Sequence, residues 1–374
     1  MTAFAGQFEL PRIDRVISGP RALDRLAGEL DRLGARRIVV VTGRTLGASA
    51  LLDRTLAPIR DRCAAVFTGS RQHVPASSVA ELVALVRQRQ ADGLVSFGGG
   101  SPIDTAKLAV QAGLASGERM PHVAIPTTLS AGEFTSVAGI TDDETRIKRA
   151  VHDPRLAPHV VIADPAVTLD TPAWLWGASG VRALDHAVES LYSNRHHPMS
   201  DATAEKGLSL LLEYLPKSLA VDAPDVLDHR AQCQLAAWMA VHGMTNAGFG
   251  LSHALGHQIG PRWNVAHGIT SCITLPHAMR FMARLAPERF APIAAACGVP
   301  FEPGAAAAGA SACADRIAGF IAQLGLPMRL RDAGVPPEEI GQVAAVVHGL
   351  MEDAGIVGRP VAVEEIEGLL RDAF

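Results

Sequence analysis

The segment Gly93 to Lys107, GLVSFGGGSPIDTAK, constrains this chain more than any other. Leu94, Val95 and Phe97 read as a short apolar strand, and three glycines end it. Ser101-Pro102 then starts a helix through Asp104, Ala106, Lys107 and Leu108, with proline in its first turn. Glycines 98 to 100 remove the side chains that would keep an anion from the backbone, and the helix start offers unpaired N–H groups and a positive dipole end. A diphosphate suits such a turn. An ordinary glycine turn is the alternative, because neither G-x-G-x-x-G nor a Gly-Lys-Ser/Thr phosphate loop is present.

The segments around it repeat the same alternation. Arg15–Ser18, Ile38–Thr42, Ala64–Thr68, His122–Ile125 and Val160–Ala163 read as strands. Leu23, Leu26, Leu30 and Leu33, and later Val79, Leu82, Val83 and Val86, recur at helical spacing. This pattern predicts a parallel sheet with helices on both faces, whose strand ends gather at one edge where ligands bind. The turns Thr42-Gly43-Arg44, Gly98-Gly99-Gly100-Ser101 and Pro126-Thr127-Thr128 should line that crevice. Gly43-Arg44 places no acid where a ribose 2′-hydroxyl would be read, so a 2′-phosphate is permitted. The charged stretch Thr141–Lys148, TDDETRIK, reads as a hairpin or loop. After Pro172 turn-separated helical patterns run to the C-terminus, with breaks expected near Pro216, Pro224, Gly260, Pro276, Pro300, Gly325 and Pro336. The domains expected are residues 1–164, α/β, and 165–374, all-α.

At 374 residues, with 48% hydrophobic and 19% charged residues, the chain is long enough for two cores. A formal charge of -4 with scattered lysines and arginines gives no footprint for nucleic acid. Cys63, Cys233, Cys272, Cys297 and Cys313 are odd in number with no C-x-x-C pair, which suits a reduced, cytoplasmic setting. The stretch MTAFAGQFELPRID lacks a basic start with an apolar run, and no apolar segment reaches membrane-spanning length, so neither export nor insertion is expected.

Two helical segments carry the chemistry. In Val181–Leu191, Val181, Leu184, Val188 and Leu191 form an apolar stripe, and Arg182, Asp185, His186 and Glu189 share a neighbouring face. Exposed, that row would be a solvated surface. In GLSHALGHQIGPRWNVAHG, His253 and His257 lie one turn apart and His267 follows ten residues later. Histidines at i and i+4 are a common metal pair, and His186 and His267 could complete a site; buried, hydrogen-bonded histidines are the alternative.

The ordered set GGGSPIDTAK, PTTLSAGEFT, VRALDHAVE, H-x-x-x-H followed by H-G, and GLPMRLRDAGV resembles the iron-containing alcohol dehydrogenase superfamily, on its maleylacetate reductase branch. The resemblance covers nearly the whole chain. It implies a dehydroquinate synthase-like fold: an α/β dinucleotide-binding domain, then an all-α catalytic domain, with the active site between them. The implied cofactor is NADH or NADPH, held by Thr42, Gly43, Arg44, Gly98, Gly99, Gly100, Ser101, Asp104, Thr127, Thr128, Leu129 and Lys148. In the metal-dependent branch an aspartate and three histidines hold the ion. The histidine positions match His186, His253 and His267, and the aspartate position falls on Arg182.

A guanidinium has no lone pair for a cation, so no metal is expected; were one bound, Asp185, His186, His253 and His267 are the ligands to test. The reductase branch resembles this chain at that point, and also in His73-Val74-Pro75. The expected reaction is NAD(P)H-dependent reduction of maleylacetate or a similar unsaturated oxo-dicarboxylate, with His253, His257, Arg182, His186 and His267 as catalytic residues; Arg262 reads as an exposed loop arginine, with a second carboxylate clamp as the alternative. A metal-dependent alcohol dehydrogenase is the alternative, ahead of a dehydroquinate synthase-type lyase and a nonenzymatic nucleotide-binding module. A homodimer acting on a small molecule is implied.

Overall fold

A computed structural model describes residues 7–113, 120–351 and 358–374. Met1–Gly6, the start of the stretch in which no leader is expected, lies outside them. The first half holds β1 (Arg15–Ser18), α1 (Leu26–Arg32), β2 (Ile38–Gly43), α2 (Arg44–Gly47), α3 (Ala50–Leu56), β3 (Cys63–Ser70), α4 (Ala76–Arg89), β4 (Gly93–Gly98), α5 (Gly100–Gly113) and β5 (His122–Pro126). β6 (Val137–Thr141), β7 (Lys148–His152) and β8 (Val160–Ala163) follow. Six strands form one parallel sheet in the order β1-β8-β5-β4-β2-β3.

Alternate residues of these strands serve opposite faces, as a pleated strand requires. Ile38, Val40, Val95, Phe97, Val123 and Ile125 pack with Leu26, Leu30, Leu51 and Leu52 on one side. Val39, Val41 and Leu94 pack with Leu82, Ala106, Ala109 and Val110 on the other. The C-terminal strand ends are level, Gly43 beside Ser70 and Gly98 beside Pro126, so the turns after them open on one crevice. β6 and β7 form a separate antiparallel hairpin around the charged TDDETRIK turn.

The chain leaves the sheet at Ala163 and enters α6 (Ala173–Tyr192). Then come α7 (Pro198–Lys217), α8 (Val226–Val241), α9 (Met244–Ala247), α10 (Leu251–Trp263), α11 (His267–Leu285), α12 (Ala291–Cys297), α13 (Ala306–Gln323), α14 (Ile340–Met351) and α15 (Val363–Asp372). α6 is the axis of this half, buried from Trp176 to Tyr192. Two expected breaks do not occur, since Gly260 lies within α10 and Pro276 within α11, while the break near Pro216 does, α7 ending at Lys217. Pro276 is itself buried, and packing around it outweighs the lost backbone hydrogen bond. The described cysteines are all free, and four are buried. Among the described residues no helix is long and apolar enough to cross a membrane.

Candidate active site

Between the sheet edge and the helical half lies a cleft of about 650 Å³, within the range of small-molecule sites. Its wall on the side of the sheet comprises Gly43, Arg44, Gly99, Gly100, Ser101, Asp104, Thr127, Thr128, Ser130 and Lys148. Gly98, at φ 143, turns the chain so that Thr127 N–H reaches its carbonyl at 2.9 Å; a Cβ there would meet Pro102 at 2.9 Å. The N-terminus of α5 therefore opens directly into the cleft, beside a Ser130 hydroxyl that is buried without a partner. These groups fit a diphosphate-bearing nucleotide. Thr42, Gly98 and Leu129 sit behind the wall: Thr42 is wholly buried, and Leu129 packs into the helical core with its N–H on Ser179.

The opposite wall carries Arg182, His186, His253, His257 and His267. The polar row on α6 is buried, not solvated; Arg182, Asp185 and Glu189 are hydrogen-bonded, whereas His186 Nδ1 is buried without a partner. Arg182 donates to Ser271 Oγ at 3.0 Å and to Asp185 Oδ2 at 3.3 Å. The same Asp185 oxygen accepts from Ser252 at 2.9 Å and Ser271 at 2.7 Å. Burial lowers the Arg182 guanidinium to about 10, which leaves it charged at neutral pH.

Glu189 accepts from the N–H groups of Gly250 and Ser252, from Tyr192 and, at 2.7 Å, from His253 Nδ1. Burial and the neighbouring Asp185 raise its carboxyl, against Arg182 and the N–H groups of Ser252 and Gly250. His253 then carries its proton on Nδ1 and presents a bare Nε2, buried without a partner. Glu189 stood in the sequence row without a role. Its function as the holder of His253 shows only when α10 is laid against α6.

The rings of His253 and His186 are centred 4.8 Å apart, and those of His257 and His267 5.1 Å. Burial first, then the charge of Arg182 or Lys148, holds all four well below the ordinary histidine value, so they are neutral. Lys148 is pushed down by burial, with Asp104 opposing the shift. Arg262 is not in the cleft. It pairs with Glu339 at the mouth of a smaller cavity, where solvent is open to it. His73, noted in the sequence only for its neighbours, lines both cavities.

Asp185, Glu189 and His253 bring ligand atoms within 4.8 Å of one another. This is not the set Asp185, His186, His253 and His267 expected were a metal bound. Its atoms already accept from Arg182, two serines and two backbone amides, or bear the Nδ1 proton. As arranged, the donors do not fit a divalent ion beside a charged guanidinium.

A nucleotide-binding α/β half facing a histidine-lined helical half defines a two-domain, nicotinamide-dependent oxidoreductase. Comparison with known proteins agrees. The family described as "Iron-containing alcohol dehydrogenase" matches residues 13–165, and the "Fe-containing alcohol dehydrogenase family, C-terminal" matches 177–374. The chain is 37% identical over 294 residues to maleylacetate reductase 2 of Cupriavidus pinatubonensis, covering 79% of each. It is 31% identical to the NAD-dependent methanol dehydrogenase of Bacillus methanolicus, covering 96% of this chain and 97% of that one. The crystal structure of maleylacetate reductase from Agrobacterium tumefaciens superposes with a TM-score of 0.81 at 27% identity, over 99% of each chain. The chain belongs to the iron-containing alcohol dehydrogenase superfamily, in its maleylacetate reductase branch.

Proposed function

We propose that the enzyme reduces maleylacetate, or a closely similar unsaturated oxo-dicarboxylate, to the saturated oxo-acid without a metal ion. The observation that carries this reading is the charged Arg182 guanidinium in the cleft wall, held by Asp185 and Ser271 at the position where the family resemblance implies an aspartate ligand in the metal-dependent branch. The named reductase relatives support the substrate class.

Gly43, Arg44, Gly99, Gly100, Ser101, Thr127, Thr128, Asp104 and Lys148 would hold the nucleotide. When bound, reduced nicotinamide supplies the hydride, to the alkene carbon β to the ketone. The charge that develops on the ketone oxygen is met by Arg182, fixed in advance and shielded from water. His253, its ring fixed by Glu189, orients the substrate by its shape against the cleft wall. His257, less buried than His253, relays a proton from water to the former alkene carbon next to the ketone. His186 and His267 close the pocket around it.

Arg182→Asp tests the reading. It should lower kcat on maleylacetate by about a hundredfold or more, the scale of losing a preorganised charge at an oxyanion, and should create measurable Zn²⁺ binding by calorimetry. Unchanged turnover would remove Arg182 from the reaction. A metal-dependent alcohol dehydrogenase is the second reading, favoured by the methanol dehydrogenase relative.

A further inference from the structure

The turn after β3 is strained. His73 and Val74 are consecutive non-glycine residues at φ 64 and φ 58, and a β-branched residue in the left-handed region is a true outlier. Such backbone persists only where its surroundings over-determine it. Here Thr141, at the end of β6, clamps both carbonyls: its hydroxyl donates to His73 O at 2.6 Å and its N–H to Val74 O at 2.9 Å.

The clamp aims the His73 ring out of the nucleotide half and into the helical half. Gly260 of α10 leaves a notch for it; a Cβ there would lie 2.8 Å from the ring Cε1 and 3.3 Å from both Nδ1 and the Val265 carbonyl. The ring is hydrogen-bonded to that carbonyl while Nε2 has no partner, so Nδ1 is the donor. Val265 N–H in turn donates to Gly260 O at 3.0 Å, and α11 begins two residues later at His267. The connection 264–266 between the helix bearing His253 and His257 and the helix beginning with His267 is thus held from both sides. One of the two holds comes from the other domain.

We propose that His73 is a positioning residue for His267. It sets the register of the His257–His267 pair from the nucleotide side of the cleft, so the histidine wall is complete only when the two halves are docked. The proposal rests on the catalytic part given to His267 above. It does not depend on which oxo-acid or carbonyl compound is reduced.

Three variants test it. Asn keeps a donor at the position of Nδ1 and tolerates the left-handed region, whereas Leu removes the donor. Gly260→Ala favours the helix yet evicts the ring. His73→Leu and Gly260→Ala should each lower kcat about tenfold, the scale of one hydrogen bond and the geometry it fixes. NADPH affinity and KM should stay within about threefold, while His73→Asn should retain kcat. Equal kcat in His73→Asn and His73→Leu, an unaffected Gly260→Ala, or a change confined to KM would overturn the positioning role. The unaltered enzyme is assayed alongside. If it fails on maleylacetate but reduces simple aldehydes, the substrate reading falls and the same three variants are compared on the aldehyde.

Discussion

At the scale of single residues, the site is a set of buried polar groups each made tolerable by a neighbour. Glu189 illustrates the economy. Its two oxygens serve two backbone amides at the start of α10, a tyrosine and the ring of His253. Replacing it by Gln offers an N–H where a donor already points, and the easiest relief is for His253 to change tautomer, losing its bare Nε2. Glu189→Gln should therefore cut kcat by roughly tenfold to a hundredfold, the range seen when the partner that orients a functional histidine is lost. NADPH binding, followed by fluorescence, should be unchanged. Full activity would show that the tautomer of His253 is irrelevant. The histidines and Arg182 were legible in the sequence because helical spacing and family motif both mark them. Glu189 and His73 were not, since each acts on a residue remote in sequence: 64 positions away for Glu189 and His253.

At the scale of elements, short β-branched runs flanked by glycine announced the six parallel strands, since strands covered on both faces must be apolar throughout. The arms of the β6–β7 hairpin escaped notice. Lys148, Arg149 and His152 interrupt the apolar pattern, and the pair is ordered by its mutual ladder and by α5 and α10. Likewise, Gly260 and Pro276 read as breaks because propensity is local, whereas burial of α10 and α11 against α6 is not. The α6–α11 approach is tight at Gly268, where a Cβ would collide with the Ala178 carbonyl of α6. Gly268→Ala should thus cost about 1–3 kcal/mol of stability, the usual price of overpacking, read as a lower urea midpoint at constant slope. It should also lower kcat, because His267 precedes it. A midpoint equal to that of the unaltered protein would mean that the two helices separate freely.

At the scale of the whole molecule, neither half suffices. The sheet edge supplies the glycine turn, the threonine turn and Lys148; the helical half supplies Arg182 and the histidines; His73 crosses between them. The division into two kinds of architecture was plain in the sequence, but the depth at which the polar row of α6 lies was not, because spacing alone does not separate a buried stripe from a wet one. That depth underlies the central claim that a fixed guanidinium does here what a metal ion does elsewhere. The most direct test is NADH and NADPH oxidation with maleylacetate by protein stripped with a chelator, compared with the same protein given Zn²⁺ or Fe²⁺. Full turnover after stripping, unchanged or lowered by added metal, is the predicted result. Activity that vanishes on stripping and returns with metal, or that appears only with simple alcohols and aldehydes, would contradict the account and make Asp185 a ligand.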